Sequence, residues 1–115
     1  MNQSSININI TLDEDKMPET IHWQAPDGGV ENFQPAKAML LGLWDGQEKA
    51  ALRIDLWTNK MQMDEMNDFM FQSLMGMADT FARATRNETQ AEELRDFAKK
   101  FITKAHETLS KEEKS

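Results

Sequence analysis

The two histidines, His22 and His106, are the side chains in this sequence best suited to carry a proton or a metal ion near neutral pH. His22 lies on the polar side of an alternating run that predicts a strand. His106 lies near the end of a predicted helix, where the helix dipole favours a cation. Neither has a second ligand type at the spacing of a zinc site. We therefore predict structural roles for both and no metal site.

Acidic residues cluster at two places in the chain. Asp13–Asp15 are consecutive, whereas a calcium loop spaces its ligands at alternate positions and adds a glycine and a bidentate glutamate. Asp64, Glu65 and Asp68 lie where a helix is predicted to begin, and the helix dipole stabilises acids there. We therefore predict a solvated turn at the first cluster and a helix cap at the second.

A glycine pair and a serine are the remaining candidates for chemistry. Asp27–Gly29 could present backbone N–H groups to an anion, but a following lysine and the spacing of a phosphate-binding loop are missing, so a turn is predicted. Ser73 lies in a predicted helix without a nearby base. The sequence has no cysteine, which excludes thiolate nucleophiles and sulfur-ligated zinc. These features predict no enzymatic activity, no catalytic residue and no cofactor.

The charge distribution restricts the class of partner. The chain has a formal net charge of −7, and residues 1–65 carry −6 of it. A chain without a basic patch cannot neutralise phosphates, so nucleic acid is not a predicted partner. The N-terminus has no basic cluster before an apolar run, and no apolar run approaches the roughly 20 residues of a membrane span. A cytoplasmic protein without a membrane span is predicted.

Alternating apolar residues predict the strands. Ile6–Leu12 and Met17–Gln24 form two such runs joined by a charged turn, which predicts an antiparallel hairpin with Pro18 near a strand start or edge. A helix is predicted from Pro35 to Trp44, with Asp45-Gly46 as its stop. Leu52–Trp57 alternate again and predict a third strand.

Two longer helices are predicted in the second half. The helix from about 64 to 86, capped by Asp64 or Thr58, has apolar residues over roughly 240° of its circumference, wider than the stripe of an ordinary surface helix. Thr89 and Glu92 suggest a capping box for a last helix reaching Leu109. The predicted fold is α+β, order β-β-α-β-α-α: a three-stranded antiparallel sheet with three helices on one face. Residues 1–109 form one predicted domain and residues 110–115 a frayed polar tail.

The predicted interaction residues follow from the wide apolar arc and from the third strand. Methionine side chains are adaptable and common at binding surfaces, although they also fill cores. The candidates are Met66, Met70, Phe71, Met75, Trp57 and Arg53. Arg53 and Asp55 share one face of a strand, where they form either a cross-strand or same-face ion pair, with His22 or Thr20 nearby, or a polar docking patch. Partner proteins are predicted, including a second copy in a homodimer.

Most of the chain also resembles a known family. The sequence is similar to the gliding motility protein GldC of Bacteroidetes from about residue 5 to residue 103. The blocks that carry the resemblance are Met17–Glu19 with Ile21 and Trp23, Asp27–Gly29, Ala36–Ala38 with Leu40, Leu41, Trp44 and Asp45, Leu52–Thr58, Met63–Met66 and Thr80–Thr85. The resemblance implies a soluble cytoplasmic accessory protein of gliding motility, with no enzymatic activity and no cofactor.

Two alternatives to this interaction module stay open. The first is a chaperone or adaptor for exported proteins, because small acidic α+β proteins with an open apolar groove suit that task. The second is a small-molecule site rimmed by Trp23, Trp44 or Trp57, with Arg53 as an anion anchor.

Overall fold

The computed structural model describes the backbone of residues 2–114 and the side chains of residues 2–110. These residues form five strands, a short 3-10 helix at Pro26–Gly28 and two α-helices. The elements are β1 (Asn7–Leu12), β2 (Pro18–Ala25), β3 (Val30–Ala36), β4 (Ala38–Asp45), β5 (Ala50–Trp57), α1 (Met63–Thr85) and α2 (Glu88–Lys114). The chain divides after Met61 into two compact units. We call residues 1–61 the sheet unit and residues 62–115 the helix unit.

The domain boundaries drawn from the sequence stay predictions. For the predicted tail, residues 110–115, the backbone of α2 continues through Lys114, and the side chains beyond Ser110 lie outside the described residues.

The first hairpin is confirmed. β1 and β2 pair antiparallel, with Ile10 opposite Ile21, and β2 begins at Pro18. The turn is held by the Asp13 carboxylate, which accepts the backbone N–H groups of Asp15 at 2.8 Å and Met17 at 3.0 Å. β3 then pairs antiparallel with the other edge of β2. Because opposite residues share a face, this sheet has an apolar side and a polar side, and His22 lies exposed on the polar side.

The predicted helix from Pro35 to Trp44 is wrong. Residues 30–36 form β3 and residues 38–45 form β4. A short apolar run fits a strand as well as a helix, and Gly42 in its middle costs a helix about 1 kcal/mol relative to alanine. Pairing with β5 favours the strand, because β4 pairs with the alternating residues of β5 along its whole length. The prediction of one three-stranded sheet with three helices is therefore corrected, within residues 2–114, to five strands in two sheets and two helices.

The β4–β5 hairpin is closed at both ends by hydrogen bonds. At the turn, the Asp45 carboxylate accepts the N–H groups of Gln47 at 2.9 Å and Glu48 at 3.2 Å. Asp45-Gly46 therefore begins a hairpin turn instead of ending a helix. At the open end, Thr58 donates its N–H at 2.8 Å and its hydroxyl at 2.9 Å to the carbonyl of Lys37. Thr58 is buried, and this pair of bonds satisfies its polar groups.

The last two predicted helices are confirmed as α1 and α2, but their caps differ from the predicted ones. The N-cap of α1 is Gln62, whose N–H donates to the Glu65 carboxylate at 3.2 Å. Asp64 and Thr58 are therefore not the cap. α2 already contains Thr89, and its first turn is capped by the Asn87 side chain, which accepts the Gln90 N–H at 3.0 Å.

Fully buried small side chains lie on both α1 and α2. Ala78 of α1 and Ala91 and Ala98 of α2 are fully buried. Since alanine adds little width, the two helices can approach closely along this line. Arg95 of α2 adds a polar link, because its guanidinium binds Asp79 of α1 at 2.9 Å. The three buried alanines, which we call the seam alanines, therefore mark the most buried line of the helix unit, and the Arg95–Asp79 contact lies beside them.

Candidate interaction surface

Few large side chains are buried in either unit. Among the described residues, the buried ones are Ile21 and Thr58 in the sheet unit and the three seam alanines in the helix unit. Large apolar side chains stay exposed in both units instead. A contiguous exposed apolar surface is typical of a protein–protein interaction site. Exposed apolar residues form such a surface only where they lie together on one face.

One side of the β4–β5 hairpin is aliphatic except at its turn end, where Asp45 lies opposite Ala50. Opposite residues of an antiparallel pair share a face, so the register places together Met39, Leu41, Leu43, Ala50, Leu52, Ile54 and Leu56. We call these seven residues the aliphatic face. Leu43, Leu52 and Ile54 are 57%, 58% and 50% exposed. A hairpin of two strands is marginally stable alone, which makes this open face a candidate for covering by another protein.

The other side of the hairpin is mixed in chemistry. It contains Arg53 and Asp55 as predicted, and they form a two-point ion pair with Nε–Oδ2 at 2.9 Å and Nη2–Oδ1 at 3.0 Å. The predicted same-face ion pair is thus confirmed. Gly42 lies opposite Arg53, and a Cβ built there would lie 2.9 Å from Nη1 of the arginine. The absent side chain of Gly42 therefore gives the guanidinium room to lie across β4.

The ion pair shifts the titration of both partners. The hydrogen bond from Arg53 is the largest cause that holds the pKa of Asp55 below its ordinary value. The hydrogen bond with Asp55 likewise raises the pKa of Arg53. Both side chains are well exposed, so solvent screens their attraction and the pair adds little to stability.

The predicted tryptophan and methionine residues lie in different units. Trp57 is exposed on the mixed side of the hairpin, at the opposite end from Trp44, which is also exposed. The four candidates of the helix unit, Met66, Met70, Phe71 and Met75, lie on α1 and are half-buried. The exposed methionines of this helix are Met63 and Met77. A docking role for the four candidates stays a prediction.

An apolar groove runs along the helix unit. It has a volume of about 520 Å³, and its apolar lining includes Met63 from α1 and Phe97, Phe101 and Leu109 from α2. Lys100 and Lys104 also line it, one helical turn apart. Phe97 is largely exposed. The groove combines an aromatic floor with positive charge, although the whole chain is acidic.

The residues considered for chemistry stay apart from these surfaces. His106 lies 3.7 Å from Asp68 on the exposed side of the helix unit. In the part of the chain that the structure describes, no three His, Cys, Asp or Glu side chains converge as metal ligands. A cavity of about 240 Å³ in the sheet unit is lined by Trp23 and aliphatic residues, and its lining does not include Trp44, Trp57 or Arg53. Within the same described residues, no helix has the length and apolarity to cross a membrane.

Sequence reasoning missed most of the aliphatic face. The alternation of Leu52, Ile54 and Leu56 predicts β5, but the apolar run of its partner strand β4 also fits a helix. The available signal was Asp45-Gly46 between two apolar runs, which is a strong indication of a hairpin. With that turn, Leu41 and Leu43 fall opposite Ile54 and Leu52.

Comparison with known proteins identifies the family. A sequence-family model described as gliding motility-associated protein GldC-like matches residues 18–107. The match includes β2 to β5, α1 and most of α2. No curated protein and no solved structure matches the chain. Because the family match spans well over half of the sequence, this chain belongs to the GldC-like family of gliding motility-associated proteins.

Proposed function

We propose that this GldC-like chain is a non-enzymatic, cytoplasmic accessory protein that supports the gliding or envelope machinery by binding proteins. The observation that carries the proposal is the aliphatic face of the β4–β5 hairpin. Seven uncharged side chains lie together there, and Leu43, Leu52 and Ile54 are at least half exposed. Covering the exposed part of each of these three contributes about 1 kcal/mol to a complex.

The composition of the two faces of the hairpin supports a role in recognition. The seven residues of the aliphatic face have no hydrogen-bonding side chain, and the Asp45 carboxylate at the turn end of the same side is already bonded to the N–H groups of Gln47 and Glu48. The face therefore favours a partner that offers a matching apolar surface. The mixed side adds Trp57 and Arg53, whose residue types are enriched in interfaces, and Asp55, which pairs with Arg53. The hairpin therefore offers affinity on one side and selectivity on the other.

A point charge on the aliphatic face tests the proposal. Leu52→Asp places a carboxylate on this face, and Gln47→Asp places the same group at the exposed hairpin turn as the control. Each variant replaces the native protein in a gliding bacterium that carries this chain. We expect Leu52→Asp to reduce colony spreading and the recovery of motility or envelope proteins after crosslinking and affinity capture. We expect Gln47→Asp to behave as wild type.

Folding is checked separately by circular dichroism of both purified variants. If Leu52→Asp keeps the wild-type spectrum yet spreads and captures partners as well as Gln47→Asp, the proposal is wrong. A loss in both variants would also contradict it, because the turn lies outside the aliphatic face.

The groove of the helix unit favours a second candidate function, a chaperone or adaptor for exported proteins. Its aromatic floor fits the apolar side chains of an unfolded segment, and Lys100 and Lys104 fit acidic residues beside them. We expect the wild-type protein to slow aggregation of an unfolded exported protein, and Phe97→Ser to lose that activity. Glu93→Ser, a change on the same helix outside the groove, is the control. Equal activity of the two variants would reject this function.

A further inference from the structure

The outer edge of β5 is an unprotected site for strand pairing. In residues 2–114, β5 is paired on one side with β4 and has no strand on the other. Its eight residues contain no proline, lysine or glycine, and its register with β4 runs without a shift from Trp57 to Ala50. Proteins often blunt such an edge with proline, with lysine or other charged side chains, or with a bulge. This edge is long and regular and its charges are one arginine and one aspartate, so it is suited to accept a strand that sets the opposite charge against each of them.

We infer that this edge binds the same edge of a second copy, so that two β5 strands pair antiparallel about a two-fold axis at Ile54. With this axis, Arg53 lies opposite the partner's Asp55, and Asp55 lies opposite the partner's Arg53. Opposite charges directly across an antiparallel pair stabilise it, and like charges destabilise it. The pairing is isologous, so each favourable contact occurs twice.

The charges select this register over its neighbours. Moving the axis to Arg53 or to Asp55 places that residue opposite its own copy, which sets like charges against each other. An axis between two residues is excluded, because it would set aliphatic positions opposite polar ones, whereas directly opposite residues of a sheet lie on the same face. The axis at Ile54 avoids both penalties. It also places Leu52 opposite the partner's Leu56 and the small Ala51 opposite the partner's Trp57.

The dimer extends the surface on which the proposed function depends. Two paired hairpins form one four-stranded sheet in the order β4-β5-β5-β4, and sheets of three or more strands are stable where a lone hairpin is not. Their two aliphatic faces become continuous. This inference deepens the proposed function, since it names the second copy as one partner and leaves the doubled aliphatic face for another protein.

Charge exchange tests the pairing in solution. Sedimentation of the purified full chain is expected to give a dimer for the wild type and about ten-fold or more weaker self-association for Arg53→Asp and for Asp55→Arg, because each change sets like charges opposite each other twice. An equal mixture of the two variants is expected to form a heterodimer, since acid then faces base across the axis. The ion pair within each strand is absent from both variants, so that pair cannot explain recovery on mixing.

Cysteine crosslinking tests the register. The chain has no cysteine of its own. Ile54→Cys places the two sulfur-bearing residues directly opposite each other, at a Cβ separation of roughly 4.5–5.5 Å. The lower end of that range meets the roughly 3.5–4.5 Å that a disulfide spans. Leu52→Cys is the control, because the two copies of residue 52 lie about 14 Å apart along the strands. We expect a covalent dimer on mild oxidation from the first variant and not from the second.

The outcomes separate this inference from the proposed function. A monomeric wild type, a mixture that stays monomeric, or crosslinking by Leu52→Cys but not by Ile54→Cys would overturn the β5 pairing. Capture of motility proteins by the chain depends on the aliphatic face and is measured independently. A monomer that still captures them would reject the dimer and keep the proposed function.

Discussion

The sheet unit and the helix unit differ in the size of the apolar side chains that they bury. In the sheet unit, large aliphatic side chains alternate along strands, yet Ile21 is the large one that the structure buries among the described residues. In the helix unit, the buried contact is made by alanines, and the large side chains flank it or stay exposed. Among the described residues, the fully buried apolar side chains are therefore one isoleucine in the sheet unit and three alanines in the helix unit. Both leave apolar surface open: the seven residues of the aliphatic face in the sheet unit carry no charge, whereas the groove of the helix unit is lined by Lys100 and Lys104 beside its apolar residues.

The arginines of the two units show the same contrast. In the helix unit, Arg95 is 16% exposed and binds Asp79, Glu88 and Glu92. Hydrogen bonds with Asp79 and then with the two glutamates raise its pKa above the ordinary value. In the sheet unit, Arg53 is 47% exposed and binds one acid on its own strand. Arg95 is therefore held by contacts within the helix unit, whereas the exposed guanidinium of Arg53 can also bind a carboxylate of another molecule.

The largest effect is expected from Ile21→Ala in the sheet unit. Ile21 is 2% exposed, and removing a buried isoleucine side chain costs about 2–5 kcal/mol in the free energy of unfolding. Ile6→Ala is the matched control, since Ile6 is 72% exposed and exposed sites change stability by about 0.5 kcal/mol or less. Urea unfolding measures both. Equal losses would show that the sheet unit does not depend on Ile21.

A change in the opposite direction is expected to damage the helix unit. Ala98→Leu inserts three heavy atoms into a fully buried site, and such overpacking costs about 1–3 kcal/mol. Ala84→Leu makes the same change at an exposed position of α1, where leucine is almost as good a helix former as alanine. Urea unfolding should therefore separate the two variants. A stabilising Ala98→Leu would contradict the close approach of the helices.

A smaller effect is expected from Arg95→Gln. The change removes the link from α2 to Asp79, together with the two contacts to glutamates on α2. We expect a lower melting temperature than for Arg83→Gln, whose arginine donates to the Thr80 hydroxyl at 3.3 Å. The difference should shrink in 1 M salt, where the screening length falls to about 3 Å. A difference that persists there would assign the effect to packing of the side chain rather than to its charge.

The secondary-structure elements predicted correctly are those whose pattern of apolar residues fits either a strand or a helix, but not both. The alternation of Ile6–Leu12 excludes a helix, and the arc of residues 64–86 is too long for a strand, so β1 and α1 were both found. The run from Ala38 to Trp44 has no such exclusion, because its apolar residues satisfy either period. This run forms a strand because it pairs with β5. The pairing partner lies beyond a turn, so the apolar pattern within the run does not predict the pairing.

The interaction surface was predicted only in part for the same reason. Arg53 and Trp57 belong to β5, and the strand alternation placed both on one face before the structure did. Leu41 and Leu43 join the aliphatic face through their cross-strand register with Ile54 and Leu52. That register depends on the turn at Asp45, whose side chain binds the N–H groups of Gln47 and Glu48. If that turn is taken as the end of a helix, the residues that β4 contributes to the aliphatic face are not predicted.

The smallest effect is expected at the exposed ion pair of the sheet unit. The hydrogen bond from Arg53 holds the pKa of Asp55 below its ordinary value of 3.8, so Arg53→Gln should raise that pKa. A lowered folded-state pKa stabilises the fold above pH 3.8, and this contribution is lost as the pH falls through the folded value. The stability difference between wild type and Arg53→Gln should therefore vanish on acidification below about pH 4.

Carboxyl-carbon NMR of Asp55 measures the shift directly, with Arg83→Gln as a control that leaves the pair intact. An unchanged titration of Asp55 in Arg53→Gln would show that the arginine does not hold this carboxylate. The free energy involved is small because solvent screens exposed pairs. Arg53 is held only weakly by Asp55 of its own strand, so it can pair with Asp55 of a second copy at little cost in free energy. Pairing across the edge of β5 requires this exchange. Arg95, which binds three acids, lacks this freedom.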